Sequence, residues 1–240
     1  MGALVDHGVL RVHHYTPLHY LPFIARSQRL LCKSLLQAAG FPNWHLRSKS
    51  KQQDVDRGFE GYAFLTIDRT PRILSAKLAA GFPHIGISVP SEAIEATDYR
   101  LCRYNVAMTR YLRRDGKTGH MESPENGYYV GGHQIPIAVA DEDKRSMLSA
   151  HLGRGTMIEV LIPGALNLPA ETTVLCYSAA DAQIASDILT SVNRGWAVNV
   201  VLNPGPYNRS DYHAGRVAEF VTRSLAEPCW RGNGLEFDRF

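Results

Sequence analysis

The chain is short of the features that mark several common protein classes. No apolar run in its 240 residues approaches the length of a membrane span, and its first residues carry no signal-peptide hydrophobic core. Cysteine is sparse: Cys32, Cys102, Cys176 and Cys229 lie far apart, with no Cys-x-x-Cys pair and no metal-type spacing. That pattern argues against a disulfide framework or a zinc site and for reduced thiols in a cytoplasmic protein. Histidine is plentiful, but none pairs at i and i+4 or as His-x-His, so no metal is expected. The sequence has no G-x-G-x-x-G, P-loop, H-E-x-x-H or G-x-S-x-G motif, which removes the common nucleotide-fold and hydrolase fingerprints. Low-complexity tracts and internal repeats are missing too. With 45% hydrophobic and 20% charged residues, the chain is expected to bury a core. A net charge of +3 permits a polyanionic partner without requiring one.

What is present is organised around Gly155-Thr156-Met157-Ile158-Glu159-Val160-Leu161-Ile162-Pro163. The β-branched and aliphatic run between Gly and Pro predicts a strand. Alternation places Glu159 on one face with Met157 and Leu161, and Ile158, Val160 and Ile162 on the other. A carboxylate between large apolar neighbours reads in two ways. It is a solvated group on an edge strand, or a functional group held on a rigid element. Periodicity leaves both open.

Earlier in the chain, Val9 to His13 predicts a first strand, running into a turn at His13-His14-Tyr15-Thr16-Pro17. A helix follows, with Leu18, Leu21, Ile24 and Ala25 at helical spacing. A polar triplet between strand and helix offers hydrogen bonds to a ligand, and the helix start favours negative charge. Residues 43 to 60 are polar and basic, with Arg47, Lys49, Lys51 and Arg57, and read as an exposed loop. Gly61 to Ile67 predicts a strand, Ile73 to Ala80 a short helix, and His84 to Val89 another strand. Residues 98 to 112 fit neither period, and 113 to 134 read as a long loop. A short strand is expected over Ile135 to Ala140. The spacing then predicts a helix over Asp141 to Leu152, with Asp141 as N-cap and Gly153 as stop. A strand at Val174 to Tyr177, a helix at Ala179 to Val192, a strand at Val198 to Leu202 and a helix at Tyr212 to Leu225 complete the prediction. Short strands and segregated helices favour an α+β fold over a doubly wound sheet.

The order of these parts resembles the DarT family of NAD-dependent ADP-ribosyltransferases over roughly residues 10 to 185. That family opens with His-x-Thr near its first strand, and His14-Tyr15-Thr16 is similar. Its aromatic strand leads into Pro-Arg-x-Pro-Met-Leu. Here Phe64-Leu65-Thr66-Ile67-Asp68-Arg69-Thr70-Pro71-Arg72-Ile73-Leu74 keeps the Arg and Pro as Arg69 and Pro71, while Asp68 and Arg72 replace the family's Pro and Met. The catalytic Glu of the family lies in an Ala-Glu-x-Leu-Val run after a helix, like Ile158-Glu159-Val160-Leu161-Ile162. For the family's Arg before the aromatic strand, Arg47 is the nearest candidate.

The resemblance implies an α+β, ADP-ribosyltransferase-type fold of two small packed antiparallel sheets with flanking helices. It implies one domain over residues 1–240, with 186–240 as its C-terminal part. It implies NAD as co-substrate, Glu159 and Arg47 as catalytic residues, and His14, Tyr15, Thr16 and Arg69 at the cofactor. The implied acceptor is a nucleic-acid base, in single-stranded DNA before RNA. The implied context is a toxin or defence effector opposed by a macrodomain antitoxin, with no membrane partner. Two alternatives stand beside this: an ADP-ribosyltransferase acting on protein or a small molecule, and a non-catalytic nucleic-acid-binding module.

Overall fold

The computed structural model describes residues 2–38, 59–68, 72–79, 81–103, 121–123, 127–130, 133–135, 137–153, 157–201 and 221. In chain order the first elements are α1 (Ala3–Asp6), β1 (Arg11–Pro17), a 3₁₀ turn (Leu18–Tyr20), α2 (Leu21–Ser27), β2 (Arg29–Leu31) and α3 (Lys33–Ala38). Next come β3 (Tyr62–Thr66), α4 (Arg72–Ala79), β4 (His84–Pro90), α5 (Ser91–Glu95) and β5 (Arg100–Cys102). The short strands β6 (Met121–Ser123), β7 (Gly127–Val130), β8 (His133–Ile135) and β9 (Ile137–Ala138) lead to α6 (Asp141–His151). The chain continues as β10 (Glu159–Pro163), β11 (Ala165–Asn167), β12 (Thr173–Cys176), α7 (Ala179–Ser191) and β13 (Ala197–Val200). This is a mixed α+β architecture, mostly antiparallel, with flanking helices, as expected. The helix anticipated over Tyr212 to Leu225 lies outside the described residues apart from Val221.

Two compact units divide the chain. The first comprises Met1–Leu10, Leu31–Ile67 and Ser91–Leu166. Its strands run β3-β10-β5-β9, all pairs antiparallel. Alternation sends Phe59, Tyr62, Cys102, Ile137 and Leu161 into one buried cluster, with Phe64 packed against it. Ala63, Leu65, Leu101, Val160 and Ile162 are buried at the intervening positions, so β10 is apolar on both sides. Helix α1 packs against α5 and α6. The Glu95 carboxylate accepts from the backbone N–H groups of Gly2, Leu4 and Val5 at 3.1, 2.7 and 3.1 Å, satisfying donors that a helix start leaves orphaned. In this unit β6, β7 and β8 form a separate three-stranded antiparallel meander, where the sequence lacks periodicity and predicts a loop.

The second unit comprises Arg11–Leu30, Asp68–Pro90 and Asn167–Phe240. Its strands run β1-β4-β12-β13. The first two pairs are antiparallel and β12-β13 is parallel. A parallel neighbour needs a crossover, and α7 supplies it, packing on β12, β13 and α2. Ser178 caps α7 by accepting from the Asp181 N–H at 3.1 Å. Leu74, Leu78, Leu175, Tyr177 and Val201 cluster on one side, joined by Tyr15.

Three expectations are corrected in detail. His14-Tyr15-Thr16 is not a turn after the first strand. It lies within β1, because all seven residues from Arg11 to Pro17 pair with β4. Strand β10 starts at Glu159, so the carboxylate is at the head of its strand and not in the middle. Helix α6 is capped by the extended Ala140 without a side-chain bond, and Asp141 instead opens its acidic first turn. Among the described residues, no helix is long and apolar enough to cross a membrane.

Candidate functional site

Glu159 stands opposite Thr66 of β3 on one side and Cys102 of β5 on the other. Residues in direct register share a face, so Thr66, Glu159 and Cys102 form a row across three strands. Their exposures are 4%, 4% and 0%. Strand β10 is therefore flanked on both sides, which excludes the solvated edge-strand reading of its carboxylate. Taking a carboxylate out of water costs several kcal/mol, on the order of that for any buried ion, unless hydrogen bonds or charges compensate. Glu159 is thus a buried acid on a strand flanked on both sides, where burial alone does not favour it. The ladder also continues past Glu159, since the Ile67 N–H reaches the Ile158 carbonyl at 3.4 Å. Arg100 lies two positions along the same face, opposite Leu161. Its guanidinium stacks over the Tyr62 ring at 5.2 Å and donates to the Tyr62 hydroxyl. Tyr62 pairs with Pro163, so this cation is bound toward the other end of β10 from Glu159.

In the second unit, register separates the members of the polar triplet. His14 pairs with Ile87 and Thr16 with Ile85, which puts both on one face of β1. Thr16 is buried and His14 half-buried there, beside the buried Val12, Ile85 and Ile87. Tyr15 pairs with Gly86 and belongs to the opposite face. That face also carries His13, whose ring centroid is 6.2 Å from that of Tyr15. The Tyr15 hydroxyl donates to the Asp68 carbonyl at 2.9 Å. Burial raises the Asp68 carboxyl above its ordinary value. At the end of the same pair of strands, His84 faces Pro17, and burial together with Lys77 holds its imidazole down at about 4.

The structure brings His14 and Thr16 together on one strand face, directs Tyr15 to the other, and places Glu159 in the first unit. Arg47 and Arg69 lie outside the described residues. Two neighbours of the carboxylate, Thr66 and Cys102, were not singled out as site residues from sequence. Alternation within Tyr62–Thr66 carried the signal for Thr66, because its face follows once β3 pairs with β10. Cys102 lies in a segment of mixed periodicity that gave no such signal. Among the described residues no group of three or more His, Cys, Asp or Glu could hold a metal ion. Cys32, Cys102 and Cys176 are buried.

No protein-family model matches the chain, and no curated protein matches it in sequence. Its fold is nevertheless similar to solved structures. DarT from Thermus sp. 2.9, in complex with ADP-ribosylated ssDNA, superposes with a TM-score of 0.56 at 12% identity, covering 82% of this chain and 96% of that one. The same protein in complex with NAD+ gives a TM-score of 0.52 at 11% identity, over 81% of this chain and 96% of the other. Thermosipho africanus DarTG in complex with ADP-ribose gives 0.50 at 12% identity, over 81% of this chain and 50% of that chain. The chain shares the fold of these DarT structures.

Proposed function

We propose that the protein transfers ADP-ribose from NAD to a base of single-stranded DNA, with residues 1–240 acting as one transferase domain. The observation that carries the reading is Glu159. The resemblance selects it as the catalytic carboxylate, and it is buried at the head of the central strand β10. Similar folds in complex with NAD+ and with ADP-ribosylated ssDNA support the co-substrate and favour DNA over RNA as acceptor.

The chemistry asks for what these residues offer. Breaking the bond between the ribose C1′ and the nicotinamide nitrogen gives the ribose oxocarbenium character, as in glycoside hydrolysis. The nicotinamide leaves with the bonding electron pair. Glu159 stabilises the developing positive charge by accepting hydrogen bonds from the ribose hydroxyls. A nucleophilic atom of the base then attacks C1′, and Glu159 takes the proton that the base loses. Arg47 acts with Glu159 in catalysis. Arg69 binds the pyrophosphate, since a guanidinium presents permanently charged, planar donors that match phosphate oxygens. His14 and Thr16, which share a strand face, hold the nucleoside by hydrogen bonds.

In the cell this is a cytoplasmic toxin or defence effector, and a macrodomain antitoxin is its partner. The test is mass spectrometry of single-stranded oligonucleotides incubated with the protein and NAD. The expected product carries one ADP-ribosyl group, with nicotinamide released in equal amount. Cleavage of NAD with no oligonucleotide modified and protein labelled instead would reassign the acceptor. Absence of NAD cleavage altogether would leave a nucleic-acid-binding module.

A further inference from the structure

This inference rests on the reading of Glu159 as the catalytic carboxylate and concerns the one positive charge that β3, β10 and β5 carry on its face. Besides Glu159, register and alternation give that face Tyr62, Phe64 and Thr66 from β3, Leu161 from β10, and Arg100 and Cys102 from β5. Arg100 stands opposite Leu161, so Glu159 is its diagonal neighbour across the strand pair. Diagonal neighbours lie about 7–8 Å apart, within reach of a long side chain. An arginine turned toward the buried acid would pair with it strongly, because charges attract more when water is excluded. It would then occupy the carboxylate oxygens that the ribose hydroxyls need. We propose that Tyr62 is a positioning residue that keeps the Arg100 guanidinium away from Glu159.

Two contacts hold the guanidinium. It stacks over the Tyr62 ring with its carbon 5.2 Å from the centroid, and Nη1 donates to the Tyr62 hydroxyl at 2.5 Å. The ring is itself fixed. It is buried, meets Phe59 edge-on at 5.9 Å between centroids, and belongs to the cluster of Phe59, Cys102, Ile137 and Leu161. Tyr62 pairs with Pro163 at one end of β10, and Glu159 opens the other end. Those two positions on β10 are about 13 Å apart along the strand. Arg100 starts opposite the residue midway between them and can turn its head to one end or the other, not to both.

The experiment measures kcat for NAD cleavage, NAD affinity by calorimetry and a melting curve. It compares the parent, Tyr62→Leu, Tyr62→Phe and Arg100→Met, and each Tyr62 variant combined with Arg100→Met. Tyr62→Leu removes both contacts and releases the guanidinium, so kcat should fall by about tenfold or more while NAD affinity stays near the parental value. Tyr62→Phe keeps the ring and loses only the hydroxyl, and should lower kcat by about threefold. Arg100→Met alone should stay within about twofold of the parent, and in combination it should restore kcat to that level. Rescue of this kind separates the role from a packing defect, which removing the arginine cannot repair. If Tyr62→Leu fails to fold, Tyr62→Phe and its double variant carry the test. Parental kcat in the folded Tyr62 variants, or a loss that Arg100→Met does not relieve, would overturn the role of Tyr62 and leave the transferase reading intact. A folded parent protein that cleaves no NAD removes that reading, and this inference with it.

Discussion

Strands β10 and β1 carry the polar residues that matter, and they carry them in opposite ways. In β10 a single acid opens an otherwise apolar strand, and both neighbouring strands close around it. In β1 a run of polar residues is divided by the pleat, with His14 and Thr16 on one side and His13 and Tyr15 on the other. The first arrangement holds one carboxylate in a buried, rigid setting, where an electrostatic effect on a reacting centre is largest. The second distributes several weaker hydrogen-bonding groups, as suits holding a ligand or a neighbouring segment. Loss of the β10 acid should therefore abolish chemistry, whereas losses along β1 should erode affinity.

The largest expected effect tests the β10 side of this contrast. Glu159→Gln keeps the shape and removes the charge. Transfer of ADP-ribose should fall by about a hundredfold to a thousandfold or more, the range seen when a transition-state stabilising group is lost. NAD affinity, followed by calorimetry, should survive. Transfer at the parental rate would reduce Glu159 to a buried structural acid.

The next effect concerns stability on the β1 side and comes from His84, buried opposite Pro17. Its folded value of about 4 lies below the ordinary 6.5, so the unfolded chain takes up its proton first as the pH falls. Stability is then fully present above about 6.5 and declines toward 4, by on the order of 3 kcal/mol. Urea unfolding of the parent and of His84→Gln between these limits checks it: the variant should show the flatter pH dependence. Parallel curves would show that other groups set the acid limit.

Smaller again is the affinity carried by single groups at the nucleotide. His14→Ala and Arg69→Ala should each weaken NAD binding by about 1–3 kcal/mol, as for a charged or cleft hydrogen bond lost. Lys49→Ala, in the basic segment read as a solvated loop, should leave it nearly unchanged. Equal affinities across the three variants would remove His14 and Arg69 from the site.

How far the sequence anticipated these strands follows from how each is specified. The strand at Tyr62–Thr66 and the helices Asp141–His151 and Ala179–Ser191 match the predicted spans closely, because one-sided or continuous apolar patterning over enough residues leaves no competing period. The place of Glu159 and the face it shares with Leu161 were readable by alternation alone. That β10 is central and begins at the acid was not, because strand neighbours are a tertiary property. The triplet in β1 read as a turn because it is polar and followed by Pro17. Pairing with β4 along its whole length overrode that local preference. The meander of β6 to β8 escaped notice for the reverse reason: strands of three or four residues are too short to show a period. Arg47 and Arg69 stand on the resemblance alone.

The most direct measurement of the central claim compares two forms of one oligonucleotide. A base inside a duplex hides its reactive edge, so a single strand is the cheaper acceptor. Parent and Glu159→Gln protein are incubated with NAD and either the single strand or the same strand annealed to its complement, and the attached ADP-ribose is followed by mass spectrometry. The account predicts rapid labelling of the single strand by the parent, little labelling of the duplex, and neither with Glu159→Gln. Equal labelling of single strand and duplex, or labelling by the Glu159→Gln protein at the parental rate, would contradict it.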